Sequence, residues 1–194
     1  MTRVEAVVKI GGGVLAYSGD FDAALAAIAA AARTRPLLVV PGGGPFADAV
    51  READRRFSLS DDAAHWMAVL AMDQYAHLIA SRLAGGVLVT GPSELGAAFG
   101  RVPILAPYKW LREVDPLPHS WTVTSDSIAA WVSGQVGATE LVLVKPPGVN
   151  QSAAVDSYFE RALPARVTST IVAADHIDAL RSALRGKSGR GWTT

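Results

Sequence analysis

The chain of 194 residues contains no cysteine, which excludes a disulfide framework, a thiolate nucleophile and a zinc–thiolate cluster. Neither sign of charge is in excess, because 18 Lys+Arg balance 18 Asp+Glu. A general nucleic-acid or membrane-surface role therefore has no electrostatic support. No apolar run is long enough to span a bilayer; the Ala-rich stretch at 23–32 is short and flanked by Asp22 and Arg33. The start, Met1-Thr2-Arg3-Val4-Glu5, leads straight into an apolar strand with no secretory pattern. A cytoplasmic location is the expectation. Lysine is scarce too: only Lys9, Lys109, Lys145 and Lys187 occur.

Glycine, by contrast, is concentrated. Val7-Val8-Lys9-Ile10 runs into Gly11-Gly12-Gly13, and Leu37-Leu38-Val39-Val40-Pro41 runs into Gly42-Gly43-Gly44-Pro45-Phe46. A strand ending in several glycines brings bare backbone N–H groups close to a ligand, and anions bind such groups. Each loop has a plainer reading: a tight turn after an edge strand for the first, a sharp strand-to-helix turn for the second. The plain reading of the second needs one glycine, and three suggest close backbone approach to a ligand. The first is not a P-loop, because no Gly-Lys-Ser/Thr follows. Nor is it a dinucleotide fingerprint, because its glycines are consecutive and no helix is expected directly after them. Lys9, two residues before the loop, is an unusual residue for a buried strand end and calls for a partner.

Along the chain, short Val/Leu/Ile runs alternate with helix-like segments. Strands are expected at 4–10, 37–40, 86–90, 102–105, 140–145 and 169–173. Helices are expected at 20–35, 45–55, 60–83, 125–137, 153–162 and 176–185. Continuous apolar strands suit a mainly parallel sheet covered on both faces, so the expected fold is a three-layer α/β/α sandwich formed as one domain over 1–194. Ligands in such sheets sit beyond the carboxyl ends of the strands, where both glycine loops fall. Asp20 suits the start of the first helix, Pro45 a first helical turn, and Ser60 the cap of the long helix. The stretch 111–119, with two prolines, reads as a loop, and the tail 186–194 as a flexible segment or a final edge strand.

Three further places carry candidate chemistry. In Thr124-Ser125-Asp126-Ser127, Ser125 or Asp126 suffices as a helix cap, while a carboxylate at a strand-to-helix junction also suits the orientation of lysines around a phosphoryl group. The long helix carries Asp62, His65 and Asp73 on one face, which reads first as a solvated face; Asp61 or Asp62 at its start is a candidate substrate contact. A metal site there is weakly specified, and no metal ligand set is assigned. Lys145-Pro146-Pro147-Gly148 closes a strand with a cation and a turn, either beside a nucleotide or at an exposed strand end.

Taken in order, these segments resemble the amino-acid kinase family (the aspartate, glutamate and uridylate kinase superfamily) over almost the whole chain. Lys9-Ile10-Gly11-Gly12-Gly13 is similar to its opening Lys-x-Gly-Gly-Ser, Pro41-Gly42-Gly43-Gly44 to its acceptor-holding loop, and Thr124-Ser125-Asp126-Ser127 to the segment whose aspartate organises the catalytic lysines. The block Ser60-Asp61-Asp62 through Tyr75 is similar to the branch that phosphorylates aminomethyl-furanylmethyl phosphate in methanofuran biosynthesis. The resemblance implies an ATP-dependent, Mg²⁺-assisted kinase that converts a small phosphate monoester to a diphosphate, with an acceptor half at 1–120 and a shortened nucleotide half at 121–194. It implies Lys9, Asp126 and Lys145 as catalytic residues, and Gly11, Gly12, Gly13, Ser125, Lys145 and Gly148 around ATP. It places Gly42, Gly43, Gly44, Phe46 and Asp62 around the acceptor, with Asp62 facing an ammonium group. A homodimer or larger homo-oligomer through the long helix follows by resemblance. Two departures stand out: Lys145-Pro146 replaces the usual Thr-Asp, and the stretch 150–167 is short and holds no lysine. They keep open a non-catalytic binding or scaffold subunit, and a kinase with a carboxylate or nucleotide acceptor.

Overall fold

The computed structural model describes residues 4–98, 100–149 and 154–186. Six strands form one all-parallel sheet: β1 (Ala6–Ile10), β2 (Leu37–Pro41), β3 (Gly86–Val89), β4 (Val102–Leu105), β5 (Glu140–Lys145) and β6 (Thr168–Ala173), in the order β3-β4-β2-β1-β5-β6. The helices are α1 (Ser18–Ala32), α2 (Gly44–Phe57), α3 (Asp61–Arg82), α4 (Tyr108–Val114), α5 (Ser125–Gln135), α6 (Phe159–Ala162) and α7 (Ile177–Arg185). None of the described helices is long and apolar enough to cross a membrane.

Alternation along each strand sends side chains to two cores. Ala6, Val8 and Ile10 of β1 and Val142 and Val144 of β5 pack with Phe21, Leu25 and Ile28 of α1 and Leu180 of α7. Val7 of β1 and Leu141 and Leu143 of β5 pack on the other face with Ile128, Ala129 and Val132 of α5 and Phe159 of α6. Lys9 and Lys145 occupy the next positions on this second face, so the period of two alone sends both lysines toward α5. β1 is central, between β2 and β5, rather than the edge strand of the plain reading.

Several expectations are corrected. α1 begins at Ser18, with Asp20 inside its first turn where it favours the helix dipole. A short 3₁₀ turn, Gly12–Ala16, does follow the first glycine loop. The stretch 111–119 is helical in its first part: α4 runs to Val114 because Trp110 and Leu111 are buried and the prolines come only after the left-handed Asp115. Asp73 accepts a hydrogen bond from the Tyr108 N–H at 3.0 Å, so it holds the start of α4 and is not a solvated residue. The helix expected at 153–162 shrinks to the four residues of α6, because the chain before it is drawn into side-chain contacts with α5; Ala153 lies outside the described residues. Thr124, one residue earlier than expected, caps α5. Pro45 and Ser60 stand where expected, and Ser60 Oγ accepts from the Ala63 N–H at 3.2 Å. The tail expectation falls on 187–194, outside the described residues, apart from Gly186 at the end of α7.

Candidate active site

Lys9 lies near the carboxyl end of β1 and Lys145 at the end of β5, while Asp126 sits in the first turn of α5. All three are buried, at 3, 8 and 5 % exposure, which matters because they carry one negative charge against two positive ones. The Lys9 ammonium is 2.8 Å from Asp126 Oδ1, and Lys145 Nζ donates to Asp126 Oδ1 at 2.8 Å and Oδ2 at 2.7 Å. Burial raises the Asp126 carboxyl, but the two ammonium groups outweigh it and hold the group below its ordinary value. Burial and the nearby Lys9 ammonium lower Lys145, with Asp126 and Asp156 opposing them. The result is a desolvated centre with surplus positive charge, costly unless an anion joins it.

The two glycine loops meet beside this centre, and each makes the other necessary. A Cβ on Gly12 would lie 2.2 Å from the backbone nitrogen of Gly44, and one on Gly42 would lie 2.6 Å from that of Gly12. Two glycine N–H groups are spent on the backbone itself: Gly11 donates to Val144 O and Gly42 to Ile10 O, both at 2.8 Å. Those two N–H groups are therefore already paired within the fold. Gly12, Gly13, Gly43 and Gly44 line a cleft of about 190 Å³ with Lys9, Asp126 and Ser125. There the early N–H groups of the Gly12–Ala16 turn and of α2 have no intrahelical acceptor.

A second, more enclosed cavity of about 50 Å³ opens beside this cleft. Ala64, Ala68, Val69 and Met72 of α3 with Val123 and Ile128 make it apolar, Arg51 stands at the end shared with the cleft, and Asp61 and His65 contribute polar atoms. Arg51 donates to Asp48 at 2.8 Å and lies 5.0 Å over the Trp121 ring, whose Nε1 donates to Asp54 at 2.7 Å. Burial, then the neighbouring His119 ring, lower His65 from 6.5 to about 4.

Three residues expected at the site lie elsewhere. Asp62 does not line the cavity: it accepts from Trp66 Nε1 at 3.1 Å and meets His119 Nδ1 at 3.0 Å, while Asp61 faces the cavity instead. Phe46 packs on the cores. Gly148 borders a separate groove of about 1070 Å³ along β6 and α7, which also reaches Lys145. Sequence reading passed over Arg51, whose position in α2 gives no local sign of the cavity below it. It also passed over Asp156, whose carboxylate caps the start of α5.

Residues 5–146 match the amino acid kinase family, a stretch that takes in both glycine loops, Asp126 and Lys145. The chain belongs to that family. It is 30% identical over 142 residues to an aminomethylfuranylmethyl phosphate kinase of Methanocaldococcus jannaschii, a match covering 71% of this chain and 63% of that relative, so less than two thirds of the relative's length is represented. A uridylate kinase of Archaeoglobus fulgidus has a similar fold, with a TM-score of 0.69 and 15% identity over 95% of this chain and 97% of its own. A UMP kinase of Ureaplasma parvum follows at 0.58 and 15%, over 77% of this chain and 69% of its own. These two likenesses concern the fold, and this amino acid kinase family member shares with them the parallel-sheet α/β architecture on which its own site is built.

Proposed function

We propose that the chain is an ATP-dependent phosphotransferase that adds a phosphoryl group to a small phosphate monoester. The surplus positive charge of the Lys9–Asp126–Lys145 cluster, buried beside the glycine cleft, carries this reading. An ionised phosphate oxygen of the acceptor attacks the γ-phosphorus, the bond to the β–γ bridging oxygen breaks, and ADP departs with that electron pair. No proton has to be removed from such a nucleophile, so the reaction asks for alignment and charge neutralisation rather than a general base. Lys9 and Lys145 neutralise the transferring group, Asp126 holds both ammonium groups in place, and Gly12, Gly13, Gly43 and Gly44 present backbone dipoles. Both Asp126 oxygens are taken by ammonium groups, so Mg²⁺ would enter with the phosphates of ATP. The ATP would lie toward the β6 groove bordered by Lys145 and Gly148, in the half after residue 120, with Ser125 at the junction.

The acceptor reading follows the cavity. A phosphate beside Gly43 and Arg51, an apolar ring among Ala68, Val69 and Met72, and an ammonium near Asp61 describe aminomethyl-furanylmethyl phosphate, the substrate named for the M. jannaschii relative. Asp61 takes the part that the sequence suggested for Asp62. A homo-oligomer through α3 is part of the same proposal, supported by the exposed Met67 and Leu70 on that helix.

The test is ³¹P NMR of purified protein with ATP·Mg²⁺ and a panel of phosphate monoesters that includes the aminomethylfuran ester. A diphosphate product and stoichiometric ADP are expected. No heat and no thermal shift on titration with ATP·Mg²⁺ would favour the non-catalytic reading, a binding or scaffold subunit on the same fold. Turnover confined to a carboxylate or a nucleotide would replace the acceptor.

A further inference from the structure

Asp156 lies outside the lysine cluster, yet it controls the turn that carries Asp126. Its carboxylate accepts from Thr124 N–H at 3.0 Å, Thr124 Oγ1 at 2.7 Å and Ser127 N–H at 3.1 Å, and also from the Ser127 hydroxyl and the Tyr158 N–H. The residues it grips stand on both sides of Asp126. The backbone N–H of Asp126 itself donates to Thr124 Oγ1 at 3.5 Å, so a chain of hydrogen bonds runs from Asp126 through Thr124 to Asp156. A carboxylate at a helix N-terminus is favourable by itself, through the orphan N–H groups and the dipole. Here the same bonds also set the height and direction from which Asp126 meets two lysines.

A cap that only closed a helix would have no reason to be this saturated, nor to come from a segment 29 to 32 residues further along the chain. We propose that Asp156 is a positioning residue for the phosphoryl-transfer centre, holding Asp126 between Lys9 and Lys145 through the first turn of α5. The inference rests on the phosphotransferase reading for its kinetic consequence but not for its structural one. The negative charge of Asp156 also favours the protonated form of Lys145, against the burial and the Lys9 charge that lower it. Loss of Asp156 therefore acts on the centre twice: Asp126 loses its fixed direction, and Lys145 loses part of its support as a cation.

The experiment compares the parent with Asp156→Asn and Asp156→Ala. Selective ¹³C-lysine labelling makes the Cε signals of the four lysines resolvable by NMR, and a Lys145→Gln sample assigns the signal of interest. In the absence of ATP and acceptor, Asp156→Asn should move the Lys145 titration to lower pH and leave Lys109 unchanged. In turnover, kcat should fall roughly 10- to 100-fold with the KM for ATP nearly unchanged, as for outer residues that orient a reacting group. Asp156→Glu, which keeps the charge at a different reach, should restore the Lys145 titration without restoring kcat in full. A folded Asp156→Asn protein with the parent's Lys145 titration and kcat would overturn the proposal. So would failure of all three variants to fold, since the carboxylate would then be a structural cap. If the parent itself turns over no acceptor, the phosphotransferase reading fails while the lysine titration still decides the positioning role.

Discussion

Two spaces near the lysine cluster, one beside the start of α5 and one reached by Lys145, are built to different standards. Toward α2 and α3 lies a cavity of about 50 Å³, mainly apolar, with Arg51, Asp61 and His65 among its lining residues. Toward β6 and α7 lies a groove of about 1070 Å³, open along a sheet edge whose Thr168, Ser169 and Thr170 are exposed. A small enclosed space selects by shape, because an added methylene has nowhere to go. A broad groove cannot select that way and must rely on a few charged contacts, of which Lys145 is the one that reaches back to the cluster. On the proposed reading, selection by shape falls to the acceptor side and selection by charge to the donor side.

Asp126 joins the two lysine ammonium groups, and its removal should have the largest effect. Asp126→Ala leaves two buried ammonium groups without a counter-charge, a change expected to cost about 3–5 kcal/mol in stability, read as a fall in the denaturation midpoint. Phosphotransfer should be abolished with it. A stable, active Asp126→Ala protein would mean that the lysines are not held as one unit. Lys9→Met acts differently, because it leaves Asp126 and Lys145 as a balanced pair. Its stability should change little while turnover falls by roughly 10²- to 10³-fold, the usual effect of removing one group that stabilises transition-state charge. Stopped turnover with an intact melting curve separates a chemical role from a structural one.

The comparison itself is tested by adding bulk on each side. Ala68→Leu fills the enclosed cavity and should raise the acceptor KM by roughly tenfold or more, the effect of about 1–3 kcal/mol of overpacking, with the ATP KM unchanged. Thr170→Leu on the exposed edge of β6 should leave both constants within about twofold, as surface changes generally do. Equal effects from the two substitutions would show that the donor groove is as shaped as the acceptor cavity.

What sequence made legible, and what it did not, follows the range of each interaction. Lys9, Lys145 and both glycine loops stood out because a cation or a run of glycines at the end of an apolar strand violates local preference, and the sheet order places them side by side. The parallel sheet was readable from uninterrupted Val/Leu/Ile strands for the same local reason. Asp61 and Asp62 are neighbours of the same residue type, and contacts with Trp66 one turn on and with the distant His119 hold Asp62 away from the cavity wall. Half the meaning of the glycine triplets is mutual packing, which neither loop discloses alone. Asp156 gave no local signal, because its partners Thr124 and Ser127 belong to a different element. In α4, the two prolines pointed to a loop although the buried Trp110 and Leu111 lie ahead of them.

The smallest effect is expected from pH, and it sharpens the acceptor side alone. His65, at the cavity wall, falls from 6.5 to about 4 in the folded chain, first through burial and then through the stacked His119 ring, 4.1 Å away between centroids. Between those two values the unfolded chain binds a proton that the folded chain refuses. The stability that His65 contributes is thus complete above pH 6.5 and is lost as pH falls toward 4. Asp126, held below its ordinary 3.8, loses its contribution only at still lower pH, so the two windows are separate. Asp73 pulls the opposite way, since burial raises its carboxyl above 3.8 despite the Tyr108 N–H. The informative quantity is accordingly the difference between parent and His65→Gln melting temperatures, measured from pH 7 to pH 4. That difference should shift steadily in favour of the variant as the solution is acidified, because glutamine has no proton to gain. A constant difference across the range would mean that the ring is solvated in the folded chain, and the cavity would then be as open to water as the groove along β6.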